Sequence, residues 1–239
     1  MSSNSIEDLR RYESFQKHGL SGFLVDLNGT ITDSTTAVEN HWQDVCKEIG
    51  VDPKVILETS HGRRSLDVLE LLAPACQASR ICHSSKTWPS CYHDTRCRRI
   101  LAVAHIYLSV MAIVTSSSFS LATGWLSTFD LPSPDPERLI TAESVKVDKP
   151  DPTCYFLGHK SLGSDGHDGE TMLVIGDSPA GIRAGKDAGS KVLGLMTSHT
   201  YEQVKFAGPD WIVKDLESVK ILGKNGDKVL VEICKHNLT

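Results

Sequence analysis

Phe23-Leu24-Val25-Asp26-Leu27-Asn28-Gly29-Thr30 begins as a short apolar run and then turns abruptly polar. Three apolar residues in line read as a buried strand, and the Gly29-Thr30 that follows reads as a tight turn. Asp26 then sits at the strand tip. Alone, a carboxylate there serves equally well as an ordinary turn or helix cap, so its meaning depends on what the rest of the chain sets beside it.

Outward from this stretch the same grammar recurs. Met111-Ala112-Ile113-Val114 ends at Thr115-Ser116-Ser117, and Met172-Leu173-Val174-Ile175 ends at Gly176-Asp177. Val192-Leu193-Gly194-Leu195 and Trp211-Ile212-Val213 read as a fourth and a fifth strand. Amphipathic helices are expected over Val38–Ile49, Ser65–Leu72 and Ala180–Ala188, the last stopped by Gly189. Apolar strands alternating with helices imply an α/β fold, a doubly wound, Rossmann-like parallel sheet covered on both faces. Ligands of such sheets bind beyond the carboxyl ends of the strands. The first three strands each end in acidic or hydroxyl residues, which puts a candidate site at that rim.

The bulk numbers narrow the field. The chain has 239 residues, 40% of them hydrophobic, enough for one sizeable core with or without a small second domain. Its formal net charge of -5, with no basic tract, argues against nucleic acid as a partner. Met1 to His18 is polar, and the apolar-looking run Ile100 to Val114 is interrupted by His105, Tyr107 and Ser109 and is too short for a membrane span. A cytoplasmic protein with no membrane partner is the expectation. Seven cysteines, an odd number, are read as reduced thiols.

Four polar stations follow one another along the rim. They are Asp26 to Thr30, Thr115-Ser116, Asp148-Lys149-Pro150-Asp151-Pro152, and Gly176-Asp177-Ser178-Pro179-Ala180-Gly181-Ile182. Each has a plain reading: a cap, a helix start, a solvated lysine, a turn. In this order, behind apolar strands, they resemble the signatures of the haloacid dehalogenase-like hydrolase superfamily. Within it they look most similar to fungal-type glycerol-phosphate and deoxyglucose-phosphate phosphatases. The resemblance covers about residues 20–72 and 110–215.

What the resemblance implies is an enzyme acting on a small phosphorylated metabolite. Asp26 would attack phosphorus and form an aspartyl-phosphate, a role known for carboxylates. Thr115 would hydrogen-bond the phosphoryl group, with Ser116 and Gly29 beside it on the substrate. Lys149 would neutralise charge on the nucleophile and the phosphoryl group. Mg²⁺ would be held by Asp26, the main-chain carbonyl of Asn28, and Asp177. Many members carry a further acidic residue near the last Asp; Gly176 and Gly181 occupy those places here.

Between the first two strands lie about eighty residues, far more than a simple crossover needs. The surplus resembles the inserted α-helical cap of one subgroup. The expected division is a core of residues 1–32 and 101–239 and a cap of residues 33–100. Ser60-His61-Gly62-Arg63-Arg64 resembles the cap's specificity loop, which would bring His61 and Arg64 to the substrate. The bland alternative is a solvated basic turn.

Two departures stand out. Phosphatases of this family usually carry a second Asp two residues after the nucleophile, as general acid and base; here that residue is Asn28, which cannot shuttle a proton. Such catalysis contributes about 10²–10⁴-fold. Three readings stay open: a substrate with a good leaving group, chemistry of Asp26 on carbon in the manner of dehalogenases or lyases, and a weakly active or non-catalytic binder of phosphorylated ligands. The second departure is the stretch from Cys76 to Arg99, rich in Cys, His, Ser and Arg without clear periodicity. Cys82, His83, Cys91, His93 and Cys97 are zinc-ligand types, but no Cys-x-x-Cys pair is present, and a loosely packed segment is the preferred reading.

Overall fold

A computed structural model describes residues 12–52, 54, 67–68, 108–164 and 172–236. His61, Arg64, the Cys/His-rich stretch and most of the expected helix Ser65–Leu72 lie outside the described residues. Asp67 and Val68 of that helix are helical.

The strands are β1 (Tyr12–Leu20), β2 (Gly22–Val25), β3 (Met111–Val114), β4 (Leu139–Ile140), β5 (Met172–Gly176), β6 (Lys191–Leu195), β7 (Trp211–Val213), β8 (Val219–Asn225) and β9 (Lys228–His236). The helices are α1 (Thr35–Ile49), α2 (Phe119–Thr128), α3 (Thr153–Ser161), α4 (Pro179–Asp187) and α5 (Tyr201–Phe206). All five strands read from the sequence are present, within a residue of the expected bounds.

Six strands form one sheet in the order β4-β3-β2-β5-β6-β7, with every neighbouring pair parallel. Strand side chains alternate between faces. Phe23, Val25, Ile113, Leu173, Ile175 and Leu193 therefore join one buried cluster, with Trp125 and Leu126 of α2. Leu24, Ala112, Val114, Val174 and Val192 join the other, under Tyr155 of α3, Ile182 of α4 and Val204 of α5. A fully buried aliphatic side chain contributes about 1.5–3 kcal/mol, so these two layers hold the sheet.

The chain steps from β2 through β3 to β4 at one edge, returns to place β5 beside β2, and continues to β7 at the other. This reversal leaves a crevice at the carboxyl ends of β2 and β5, the point at which doubly wound sheets bind ligands. Helix α4 starts directly behind it. Ser178 caps the helix by accepting from the Gly181 amide, and Pro179 fills the first turn. Gly189 ends it with φ 77°, the left-handed geometry expected of a glycine stop.

An antiparallel sheet, β1-β9-β8, was not anticipated. Leu20, Val229, Val231 and Ile233 turn one of its faces into the same core as Leu195 and Val213. Trp211 of β7 donates its indole N–H to Gln16 Oε1 of β1 at 2.8 Å. Cys46, Cys154 and Cys234 are buried free thiols. Among the described residues, no helix is long and apolar enough to cross a membrane.

Candidate active site

The amide of Asp26 donates to the Ile175 carbonyl at 2.9 Å, so Asp26 continues the β2–β5 pairing by one residue and stands at the rim. It is buried, and each of its carboxylate oxygens is held. Oδ1 accepts from the Leu27 amide at 2.8 Å, and Oδ2 accepts from Lys149 Nζ at 2.8 Å. The same ammonium donates to the Val114 carbonyl at 3.0 Å, which ties it to the tip of β3. Lys149 is only 3% exposed. Burial by itself would push this ammonium down, but the Asp26 carboxylate against it holds it well above the usual lysine range. Lys149 is therefore a fixed positive charge. The Lys149–Pro150 peptide is cis.

Asp177, at the tip of β5, faces the same crevice and is 4% exposed. Burial first, and then the negative charge of Asp26, push its carboxyl up to about 6. Thr30 Oγ1 donates to Asp177 Oδ1 at 2.9 Å, and Ser198 Oγ donates to Oδ2. The turn after Asp26 makes this approach close. Gly29 has φ 72°, and a Cβ there would lie 2.3 Å from Asp177 Oδ2. Only glycine satisfies both demands.

Asn28 is clamped. Its Nδ2 donates to Ser117 Oγ and its Oδ1 accepts from Ser34 Oγ at 3.2 Å. Thr115, buried at the tip of β3, accepts from the Ser117 amide at 3.1 Å. Ser116 Oγ donates to Asp148 Oδ1 at 2.8 Å, beside Lys149.

Two buried carboxylates, one buried ammonium and a ring of hydroxyls thus meet where the strand order reverses. The donor set for a cation is entirely oxygen, the choice of a hard ion. Asp26 and Lys149 are brought into direct contact, and Asp177 lies within their field. Thr30, Ser117 and Asp148 fall within the polar stretches read from the sequence but carry no assigned role there, and Ser34 and the loop Thr197-Ser198-His199 are not among them. That loop follows β6, and the rule that picked Thr115 and Asp177, polar residues just past an apolar strand, would have found it.

The fold is a doubly wound α/β sheet, and this charge arrangement lies at its topological switch point. Residues 23–195 match the family model of haloacid dehalogenase-like hydrolases, and the chain belongs to that family of enzymes. It is similar to 2-deoxyglucose-6-phosphate phosphatase 2 of Saccharomyces cerevisiae, with 31% identity over 88% of this chain and 94% of that protein. It is also similar to hexitol phosphatase A of Escherichia coli, with 30% identity over 87% of this chain and 98% of that one. A solved hydrolase from Pseudomonas syringae shares the fold at a TM-score of 0.69 and 20% identity, over 82% of this chain and 94% of that one.

Proposed function

We propose that this chain is a Mg²⁺-dependent phosphohydrolase of a small phosphorylated metabolite, with Asp26 as its covalent nucleophile. The observation that carries the reading is the buried Asp26–Lys149 contact of 2.8 Å with Asp177 across the crevice. A carboxylate this buried and charge-paired is available to attack, and a locked ammonium beside it favours an incoming phosphoryl group. The named relatives act on sugar or polyol phosphates, which supports a small phosphorylated metabolite as the substrate here.

Asp26, Asp177 and the carbonyl of Asn28 would hold the cation. Their all-oxygen chemistry fits Mg²⁺, as does the like-charge pressure between the two carboxylates. When bound, Mg²⁺ supplies Lewis-acid stabilisation of phosphoryl charge. An Asp26 oxygen attacks phosphorus, and the bond to the leaving group breaks with its electrons on the departing oxygen. Water then attacks the aspartyl-phosphate, releasing phosphate and regenerating the carboxylate. Thr115 and Ser116, directly past β3, and Gly29, past β2, would meet the phosphoryl group. From the cap expected over residues 33–100, His61 and Arg64 would meet the leaving group. The buried free thiols favour a reducing, cytoplasmic setting.

Asn28 supplies no proton to the departing oxygen. A good leaving group, as in an acyl phosphate or a diphosphate, is therefore the preferred substrate. The test is phosphate release with Mg²⁺ from acetyl phosphate, an aryl phosphate and sugar phosphates, by wild type and Asn28→Asp. Ser34 and Ser117 are both hydroxyls able to donate to a carboxylate at position 28, so Asn28→Asp should be accommodated. Wild type is expected to cleave the activated substrates, and Asn28→Asp to gain sugar-phosphate activity. Silence from both proteins on all three would move the chemistry of Asp26 to carbon, or make the chain a binder.

A further inference from the structure

The loop after β6 is fixed at both ends. Upstream, the Met196 amide donates to the Val213 carbonyl at 3.1 Å, which anchors the loop to β7. Downstream, Thr200 and Gln203 form a reciprocal capping box at the start of α5. The three residues between reach back over the switch point. Thr197 Oγ1 donates to the Gly29 carbonyl, Ser198 Oγ donates to Asp177 Oδ2, and Ser198 Oγ lies 2.8 Å from His199 Nδ1.

Proton counting gives this loop a direction. A carboxylate only accepts, so the single hydroxyl proton of Ser198 goes to Asp177. The Ser198 oxygen is then an acceptor toward His199, and Nδ1 must carry the proton. The chain of bonds runs from His199 Nδ1–H to Ser198 Oγ–H to Asp177 Oδ2. With Thr30 on Oδ1, both oxygens of Asp177 are held and the carboxylate plane cannot turn.

We infer that Ser198 and His199 are positioning residues that fix the Asp177 carboxylate in the orientation a divalent cation requires. The inference rests on the reading of Asp177 as a cation ligand. Neither residue touches the reacting atoms; each acts through Asp177. Outer partners that orient ligands in this way typically contribute about 10–100-fold to metal affinity.

The experiment is Mn²⁺ binding to the full chain, followed by the electron paramagnetic resonance signal of the free ion, with melting curves in EDTA as a fold control. Wild type is compared with Ser198→Ala, Ser198→Thr, His199→Ala, His199→Asn and Asp177→Asn. Ser198→Ala is expected to bind about 10-fold more weakly. His199→Ala should weaken binding in the same direction. Ser198→Thr keeps the hydroxyl and His199→Asn places an N–H near the Nδ1 position, so both should bind nearly as wild type does. This rescue pattern distinguishes orientation from simple packing, and the His199 pair serves if Ser198→Ala melts early. Unchanged affinity in both alanine variants would overturn the inference while leaving the metal reading intact. A wild type that binds no Mn²⁺, or an Asp177→Asn variant that binds as well as wild type, would remove the metal reading and this inference with it.

Discussion

Lys149 shows what a single residue can and cannot announce. In the sequence it is one lysine before a proline, and exposed lysines are the rule. Its burial follows from a distant fact, that β2 and β3 are neighbours, so that Asp26 and the Val114 carbonyl both present acceptors to one ammonium. Removing either partner of such a pair leaves an uncompensated buried charge, at a cost of about 3–5 kcal/mol. The two removals are not equivalent. Lys149→Met leaves two buried carboxylates, Asp26 and Asp177, with no cation between them. Asp26→Asn leaves an ammonium that keeps its bond to Val114 and relieves the pressure on Asp177. Both variants should reduce phosphate release to background. In metal-free urea melts, Lys149→Met should be the less stable of the two. The reverse order would mean that Lys149 is not what neutralises this site. Asp26 and Asp177 were legible because apolar runs lead straight to them. Ser198 and His199, three and four residues past β6, come within reach of the same rule, but nothing in the sequence tells a hydroxyl and an imidazole there from a solvated loop until the Asp177 contact is seen.

At the scale of elements, legibility tracked burial pattern. Strands β2, β3 and β5 are buried on both faces and read as continuous apolar runs. Strand β8 alternates between half-buried and exposed residues, and Lys220 and Lys224 break its apolar appearance. The turn signal was nonetheless present. Asn225-Gly226-Asp227 joins β8 to β9, Asn225 pairs with Lys228 across a two-residue loop, and Gly226 has φ 61°. Helix α4 shows the opposite case, a packing demand hidden in one glycine. A Cβ at Gly185 would lie 2.9 Å from Val174 Cγ1, so the helix rides directly on β5. Gly185→Ala gains up to about 1 kcal/mol of helix propensity, against about 1–3 kcal/mol for overpacking a buried strand. The clash should win, because Val174 is fully buried and cannot swing away. The melting temperature should fall, and adding Val174→Ala should restore part of it, since the two positions touch. Additive losses in the double variant would show that α4 and β5 do not meet through this pair.

The whole molecule sets one dependence that no local stretch reveals. The order β4-β3-β2-β5-β6-β7 sets β5 beside β2, and that reversal makes both the crevice and the packing behind it. Behind it, α3 brings His159 against the entry to β6. His159 is 1% exposed, and its Nε2 lies 2.7 Å from Ser190 Oγ. Its Nδ1 is buried without a hydrogen-bond partner among the described residues. Burial holds this imidazole below its ordinary range, so the folded chain refuses a proton that the unfolded chain accepts. Below the ordinary histidine pKa of about 6.5, the unfolded state binds more protons than the native state. Stability from this group is therefore complete above that pH and is lost as pH falls through it. Gln places an amide near the Nε2 position and does not titrate, so His159→Gln removes the dependence while keeping a partner for Ser190. Denaturant melts of the two proteins between pH 8 and 5 should diverge in slope, wild type losing more stability toward acid. The carboxylates of the active site are common to both and cancel in the difference. Parallel curves would mean that His159 accepts its proton inside the fold, and the helix behind the site would then have to open to let it in.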